Sequence, residues 1–462
     1  PDGPTLHFWQ GDYVEWDGCW RPVFSGDLLA RAHWAAKVEF DRLNRKAIAA
    51  AEADRRRRGL APPAPEELPR TRKVTAALVA NVALALSGYT RLDPRTPQPS
   101  WLEGPGPFPA EDVVPARNAL VYLPGLVRGD QCSILRPTPR FFAPYCLDYD
   151  FDPAAPEPVK WFCFLGSLWP DDPESIAALQ EWFGLLLTPD TTYQKILLLI
   201  GPRRSGKGTI ARVIRALIGP SNVANPTLAS LATNFGVTPL IGSPAAVVTD
   251  ARLSGRADIA QVVERLLSIS GEDAQTIDRK HLPAITVKLP TRFALLSNEL
   301  PPLTDASGSL AGRLIILRLT RSFYDAEDRI LTEDLLTELP SILLWSIEGW
   351  RRLRERGRLV QPEAGKAMIE EMEDLGSPVR GFLKDQCKVG PEAKVMAAEL
   401  YGAWKAWCQE HGRDNAGDAQ GFGRNLRAAI PGLNTTQPRQ DDGSRPRFYM
   451  GVRLLDPDED PD

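Results

Sequence analysis

The 462-residue chain is 43% hydrophobic, 8% aromatic and 25% charged, a globular composition that excludes a wholly disordered or collagen-like protein. Its 55 Lys and Arg against 59 Asp and Glu leave a net charge of −4; bulk charge therefore cannot bind nucleic acid, and any basic surface must be local. No apolar run approaches the roughly 20 residues of a membrane span, and no charged-then-apolar leader follows Pro1-Asp2-Gly3, so a soluble, cytoplasmic protein of about three domains is expected.

From the N-terminus, Phe8 to Trp20 alternates aromatic and polar residues, and Asp17-Gly18 marks the turn of an expected β-hairpin. Helices are predicted from about Asp27 to Arg58 and from Thr71 to Leu86, separated by Pro62, Pro63 and Pro65. The run Arg55 to Arg58 reads either as a solvated helix end or as a funnel for nucleic acid. The acids Asp148, Asp150 and Asp152 read as a turn rather than a catalytic cluster. Six cysteines (Cys19, Cys132, Cys146, Cys163, Cys387 and Cys408) show no CxxC spacing and are expected as reduced, mostly buried thiols.

A helix from Glu174 to Leu187 leads into the apolar strand Ile196 to Ile200, and strands then alternate with helices to about Gly357. That is the rhythm of a parallel-sheet nucleotide-binding domain. Gly201-Pro202-Arg203-Arg204-Ser205-Gly206-Lys207-Gly208-Thr209 joins this strand to a helix over Ile210 to Leu217. Glycines there let backbone amides close around phosphates, with the helix N-terminus behind them, and Lys207 would neutralise the β- and γ-phosphates. Gly208 stands where Ser or Thr usually follows the lysine, which leaves Thr209 as the candidate magnesium-side hydroxyl.

Ala245 to Val248 is a buried strand leading to Asp250, a candidate magnesium carboxylate. Glu272 and Asp273 are distant candidates for the acid that polarises water, and each reads more naturally as structural. Phe293 to Ser297 is a strand leading to Asn298, a polar group suited to the γ-phosphate. Arg313 precedes the strand Leu314 to Leu319 and is a candidate arginine finger acting in trans. After Pro362, helices are predicted at Val379 to Gln386, Ala397 to His411 and Gly421 to Ile430, then strands at Thr435 to Gln437 and Arg447 to Val452. Arg424, Arg427, Arg445 and Arg447 either contact DNA phosphates or form a solvated or protein-docking face. Trp345, Trp350, Trp404 and Trp407 read as core, and His7, His33 and His411 have no ligand partners.

The ordered series GPRRSGKGT, VVTDARLSGR, TIDRKH, LLSNELP and the GR before LIILRL resembles superfamily 3 helicases of the AAA+ class. It is most similar to the phage and plasmid primase-helicases, which are related to poxvirus primase-helicases. The resemblance covers nearly the whole chain, including the WDG-Cys-Trp hairpin, Asn118 and the DYDFDPAAPEP stretch. It implies a multidomain α/β protein: an N-terminal mixed α+β module at 1–160, an AAA+ P-loop core at 161–358, a winged helix at 376–456 and an acidic tail at 457–462. It also implies a ring, usually hexameric, that hydrolyses ATP with Mg2+ between subunits and draws DNA through its pore.

Carried over by residue, Gly201, Ser205, Gly206, Lys207, Gly208 and Thr209 would bind nucleotide, and Thr209 and Asp250 would serve magnesium. Asn298 would sense the γ-phosphate and Arg313 would reach the neighbour's nucleotide. Arg279, Lys280 and His281 would grip DNA at a hairpin tip, and Arg424 and Arg427 would contact it from the winged helix. A priming domain is expected upstream or in trans. The competing readings are a nucleotide kinase, disfavoured by the loop's position far into the chain, and an AAA+ nucleotide-dependent DNA-binding or assembly factor that does not unwind.

Overall fold

The aromatic N-terminal stretch forms a three-stranded antiparallel meander: β1 (Leu6–Trp9), β2 (Asp12–Trp16) and β3 (Trp20–Val23). The expected single hairpin thus gains a strand. Gln10 and Gly11 both adopt positive φ, at 50° and 98°, which closes a second tight turn with the right-handed strand twist. Two helices follow, α1 (Ser25–Arg57) and α2 (Ala76–Tyr89). Arg55 pairs with Glu67, and Arg58 with Asp54 at 3.0 Å, the local neutralisation of an exposed helix end.

A computed structural model describes residues 3–93, 95–252, 259–280, 282–301, 303, 309–412, 416–430, 432–439 and 445–456. The chain is a mixed α/β protein of two units, Pro1–Phe151 and Asp152–Asp462. No described helix is long and apolar enough to cross a membrane. The acidic tail 457–462 lies outside the described residues.

In the first unit Trp9, Val14, Trp20 and Phe142 form a core, with Trp20 edge-on to Phe142 at 5.7 Å. This packing brings Cys19 to Cys146, and the structure joins them as a disulfide with Cα atoms 6.0 Å apart. That differs from the six thiols expected, because the partners lie 127 residues apart and only the aromatic core aligns them. Of the other four, Cys387 and Cys408 are buried and Cys132 and Cys163 exposed. Asp148 accepts from Arg21 at 3.0 Å and Asp150 from Arg117 at 2.8 Å. Asp152 caps the amide of Ala154 at 2.9 Å. Asn118 binds both backbone groups of Phe151, donating at 3.0 Å and accepting at 2.8 Å.

The second unit begins with α3 (Val159–Leu168) and α4 (Pro173–Leu185). Then come β4 (Ile196–Ile200), α5 (Lys207–Ile218), β5 (Val223–Ala224), β6 (Ala245–Val248) and α6 (Ile259–Ser270). An antiparallel hairpin of β7 (Ala274–Arg279) and β8 (Leu282–Lys288) precedes β9 (Arg292–Ser297) and β10 (Leu314–Arg318). The five-stranded sheet has the order β5-β6-β9-β4-β10, with every pairing parallel. Ile196 to Leu199 are fully buried, as the continuous apolar run of a sheet covered on both faces requires. Ile196, Leu198, Val248, Leu295 and Ile316 join Val262 and Leu266 of α6 in one core.

Helices α7 (Leu339–Arg356), α8 (Glu363–Gly376) and α9 (Pro378–Gln386) lead to β11 (Cys387–Met396), α10 (Ala397–Glu410), α11 (Ala419–Ala429), β12 (Asn434–Thr436) and β13 (Phe448–Leu454). The strands form an antiparallel sheet ordered β11-β13-β12. Sequence reading misses β11. Gly390-Pro391 interrupts its pattern, and the register shifts between Val389 and Lys394, so the strand carries no clean two-residue period. Trp404 and Trp407 are buried with Phe382 and Phe422, and Trp350 is buried too. Trp345 stacks edge-on to Trp161 at 5.5 Å.

Candidate functional site

The parallel strands all end at one edge, and the chemistry-bearing loops leave from it. Gly201 follows β4 and donates to the carbonyl of Ser297 at 3.3 Å, so the loop starts beside the residue preceding Asn298. Ala251 donates to Leu296 at 2.8 Å, which seats Asp250 at the same edge. Asp250 and Asn298 are both exposed. The register of β6, β9 and β4 thus gathers the glycine-rich loop, Asp250 and Asn298 on adjacent strand ends, where ligands sit in open parallel sheets.

Gly206 caps α5 with φ of 90°, a left-handed conformation that a side chain would strain. The Thr209 and Ile210 amides both close on the Gly206 carbonyl at 3.0 Å, which leaves the amides of Lys207 and Gly208 at the helix end, where an anion is favoured. Lys207 folds its ammonium onto the loop, donating to the carbonyls of Gly201 at 2.6 Å and Pro202 at 2.8 Å and to Ser205 Oγ at 3.2 Å. Burial holds the Lys207 amine below its ordinary value. Ser205 is 1% exposed, so its hydroxyl serves the loop from within.

The segment after β10 docks on the loop's outer side. Ser322 Oγ donates to the Arg203 carbonyl and the Phe323 amide to the Arg204 carbonyl, each at 2.9 Å. Arg204 Nε lies 3.3 Å from Glu327.

Two guanidinium groups that the sequence reading passed over sit on the candidate metal ligands. Arg252 Nη2 lies 2.6 Å from Asp250 Oδ2, and its Nε 2.8 Å from Oδ1. These hydrogen bonds hold the Asp250 carboxyl below the usual carboxylate range. Arg212 Nη2 donates to Thr209 Oγ1 at 3.1 Å, and its Nε to Thr332 Oγ1 at 3.1 Å. The signals were local: Arg252 follows Asp250 by two residues, and Arg212 stands one helical turn after Gly208.

Arg313 lies at the opposite end of the sheet, just before Leu314, which pairs with Ile196. One strand length, roughly 15 Å, separates it from its own loop. Its Nη1 donates to the Leu267 carbonyl at 2.5 Å and to Ser270 Oγ at 2.9 Å. Lys195 is beside it, donating to the Gly312 carbonyl at 2.6 Å; burial, then the Arg313 charge, holds its amine below the ordinary value. Glu272 pairs with Lys288 at 2.8 Å and accepts from Thr191 Oγ1 at 2.5 Å, which commits it to holding the base of the hairpin.

At the other end of that hairpin Arg279 donates from Nε to the Pro283 carbonyl at 3.1 Å, and Lys280 is exposed in the turn; His281 lies outside the described residues. Arg424 and Arg427 are exposed on α11, opposite buried Phe422 and Leu426, while Arg445 and Arg447 are exposed before β13. No described carboxylate pairs with Arg424 or Arg427.

No curated protein matches the chain. A family described only as one of unknown function, DUF5906, matches residues 199–313, the span from the end of β4 to Arg313. Among solved structures, the apo structure of the NrS-1 C-terminal region is similar at 14% identity and TM-score 0.50, over 97% of this chain and 96% of that one. A second, the A form apo structure of that region, has 12% identity and TM-score 0.46, over 97% of each chain. At 14% identity the first likeness speaks to the fold alone.

Proposed function

We propose that this protein is an ATP-dependent replicative DNA helicase of a phage, plasmid or integrated mobile element. It would work as a ring, hexameric by the family analogy, that moves along DNA and separates its strands. The observation that carries this reading is the shared strand edge: the Lys207 loop, Asp250 and Asn298 leave adjacent parallel strands on one side of the sheet. The fold likeness over nearly the full chain is compatible with it.

In this reading the Lys207 and Gly208 amides of α5 and the Lys207 ammonium hold the phosphates, the last after leaving the Gly201 and Pro202 carbonyls. Asn298 orients the attacking water or the γ-phosphate. Bound Mg2+ would supply positive charge that offsets the charge developing on the phosphates. The Asp250 carboxylate suits that hard cation once Arg252 turns away, which its exposed position permits. The Thr209 hydroxyl accepts from the Arg212 guanidinium at 3.1 Å, so it would serve the cation only if Arg212 turned away in the same manner. Arg313 would leave the Leu267 carbonyl to reach the nucleotide of an adjacent subunit.

The hairpin carries the coupling to DNA. Lys280 at its turn, repeated around a ring, makes a positive pore inside a slightly acidic protein. The helix-strand-helix-helix-strand-strand order of residues 378–454 suits a winged helix, with Arg424 and Arg427 on its third helix as phosphate contacts. ATP and Mg2+ are the cofactors, DNA and further copies of this chain the partners, with a priming domain upstream or in trans.

The test is steady-state ATP hydrolysis with and without single-stranded DNA, with Lys207→Ala as the blank. Hydrolysis that rises with DNA and vanishes in the blank supports a DNA-coupled motor. Hydrolysis indifferent to DNA would leave an assembly factor as the better reading.

A further inference from the structure

The residue after the phosphate-loop lysine ordinarily carries the hydroxyl that faces magnesium, and here it is Gly208. Helical side chains lean towards the N-terminus, so a residue four positions later covers the same sector from one turn below. Arg212 is that residue. Its Nη1 lies 3.6 Å from where a Cβ on Gly208 would stand. Its other nitrogens are anchored, Nη2 by Thr209 Oγ1 and Nε by Thr332 Oγ1, each at 3.1 Å. The exposed guanidinium is therefore laid along the first turn of α5, with Nη1, unpartnered among the described residues, facing the sector that glycine leaves open.

We infer that Arg212 is a direct phosphate contact, donating from Nη1 to the terminal phosphates of a bound nucleoside triphosphate where a metal-side hydroxyl otherwise projects. Thr209 acts as the guanidinium's anchor. It is a positioning residue, and a cation on the same oxygen as a donating guanidinium would be repelled. Three features favour this assignment. Gly208 places no side chain between Nη1 and the helix end, two threonines fix the fork, and the Lys207 ammonium is held on the loop itself. The inference rests on the nucleotide reading above and specifies how that site grips its ligand.

The experiment titrates a fluorescent ATP analogue into the full chain, in EDTA and in Mg2+. Arg212→Ala is expected to weaken binding about tenfold in EDTA, the scale of one charge-assisted hydrogen bond. Thr209→Val should weaken it in the same direction, and the double variant should lose no more than Arg212→Ala alone, because the two act as a unit. The Mg2+ concentration for half-maximal tightening should not move in Thr209→Val.

Gly208→Ser offers an independent probe that leaves Arg212 in place. It puts a hydroxyl that can accept from Nη1 into the same sector, and should weaken binding in EDTA. Unchanged melting of the nucleotide-free variants shows that each one is folded. Parental affinity in Arg212→Ala, or a several-fold higher Mg2+ requirement in Thr209→Val, overturns the assignment while nucleotide binding stands. Failure of the unsubstituted chain to bind the analogue overturns both.

Discussion

Arg352 donates from Nε to Glu181 Oε1 at 2.6 Å, joining α7 to α4 beneath the sheet's flank. Arg356 binds the other carboxylate oxygen, and Arg352 also reaches Gln180 Oε1 and the Ala177 carbonyl, each at 2.9 Å. Glu181 is 2% exposed, so its charge depends on these donors. Glu181→Ala is expected to cost about 1–3 kcal/mol, because two guanidinium groups lose a buried partner while water and their other acceptors still solvate them. Chemical denaturation measures it, and a loss under about 0.5 kcal/mol would mark the pair as dispensable.

The same two helices meet backbone to backbone. A Cβ on Gly349 would fall on the Gln180 carbonyl, and one on Gly184 on the backbone of Trp350. Gly349→Ala therefore has to push α7 off α4, with an expected cost of about 1–3 kcal/mol. A drop in melting temperature without loss of the folded baseline is the expected readout.

His7 is 8% exposed and packs at 4.8 Å on Trp20. Its Nδ1 donates to the Thr90 carbonyl at 3.3 Å, while Nε2 has no partner among the described residues. Burial, partly offset by that hydrogen bond, lowers its pKa below the ordinary 6.5. The unfolded chain then binds the proton more readily, so the His7 contribution is fully present above pH 6.5 and is lost as pH falls towards the folded value. Unfolding followed by tryptophan fluorescence between about pH 5 and 8 should show stability rising with pH. His7→Gln should flatten that slope, and an identical slope would remove His7 as its source.

Lys280 is exposed at the turn between β7 and β8. If that turn grips a nucleic-acid backbone, Lys280→Ala weakens single-stranded DNA binding. The slope of log affinity against log salt should then shrink by about 0.7 for each phosphate that the variant no longer neutralises. Lys388→Ala, on β11, serves as the charge-matched control. An equal effect of both variants would point to diffuse charge rather than to the hairpin.

The glycine-rich loop is legible in sequence because strand, turn and helix are contiguous: Ile196–Ile200, then Gly206 in a left-handed cap, then Lys207–Ile218. The ends of β6 and β9 are equally local, each an apolar run stopped by polar residues. The meander's second turn and β11 are less so. One depends on Gln10 taking positive φ, and the other is a strand built across Gly390-Pro391.

Local pattern determined the strands and helices around the glycine-rich loop and where chemistry-bearing residues interrupt them, because those choices depend on neighbours within a few residues. Tertiary structure decided what each charged group touches. Arg313 rests on a carbonyl 46 residues away, Glu272 on a threonine 81 residues away, and Cys19 on a cysteine 127 residues away. Such partners follow from strand order and packing. A side chain's hydrogen bond reaches only about 3 Å, and only the folded sheet says which distant groups come within it.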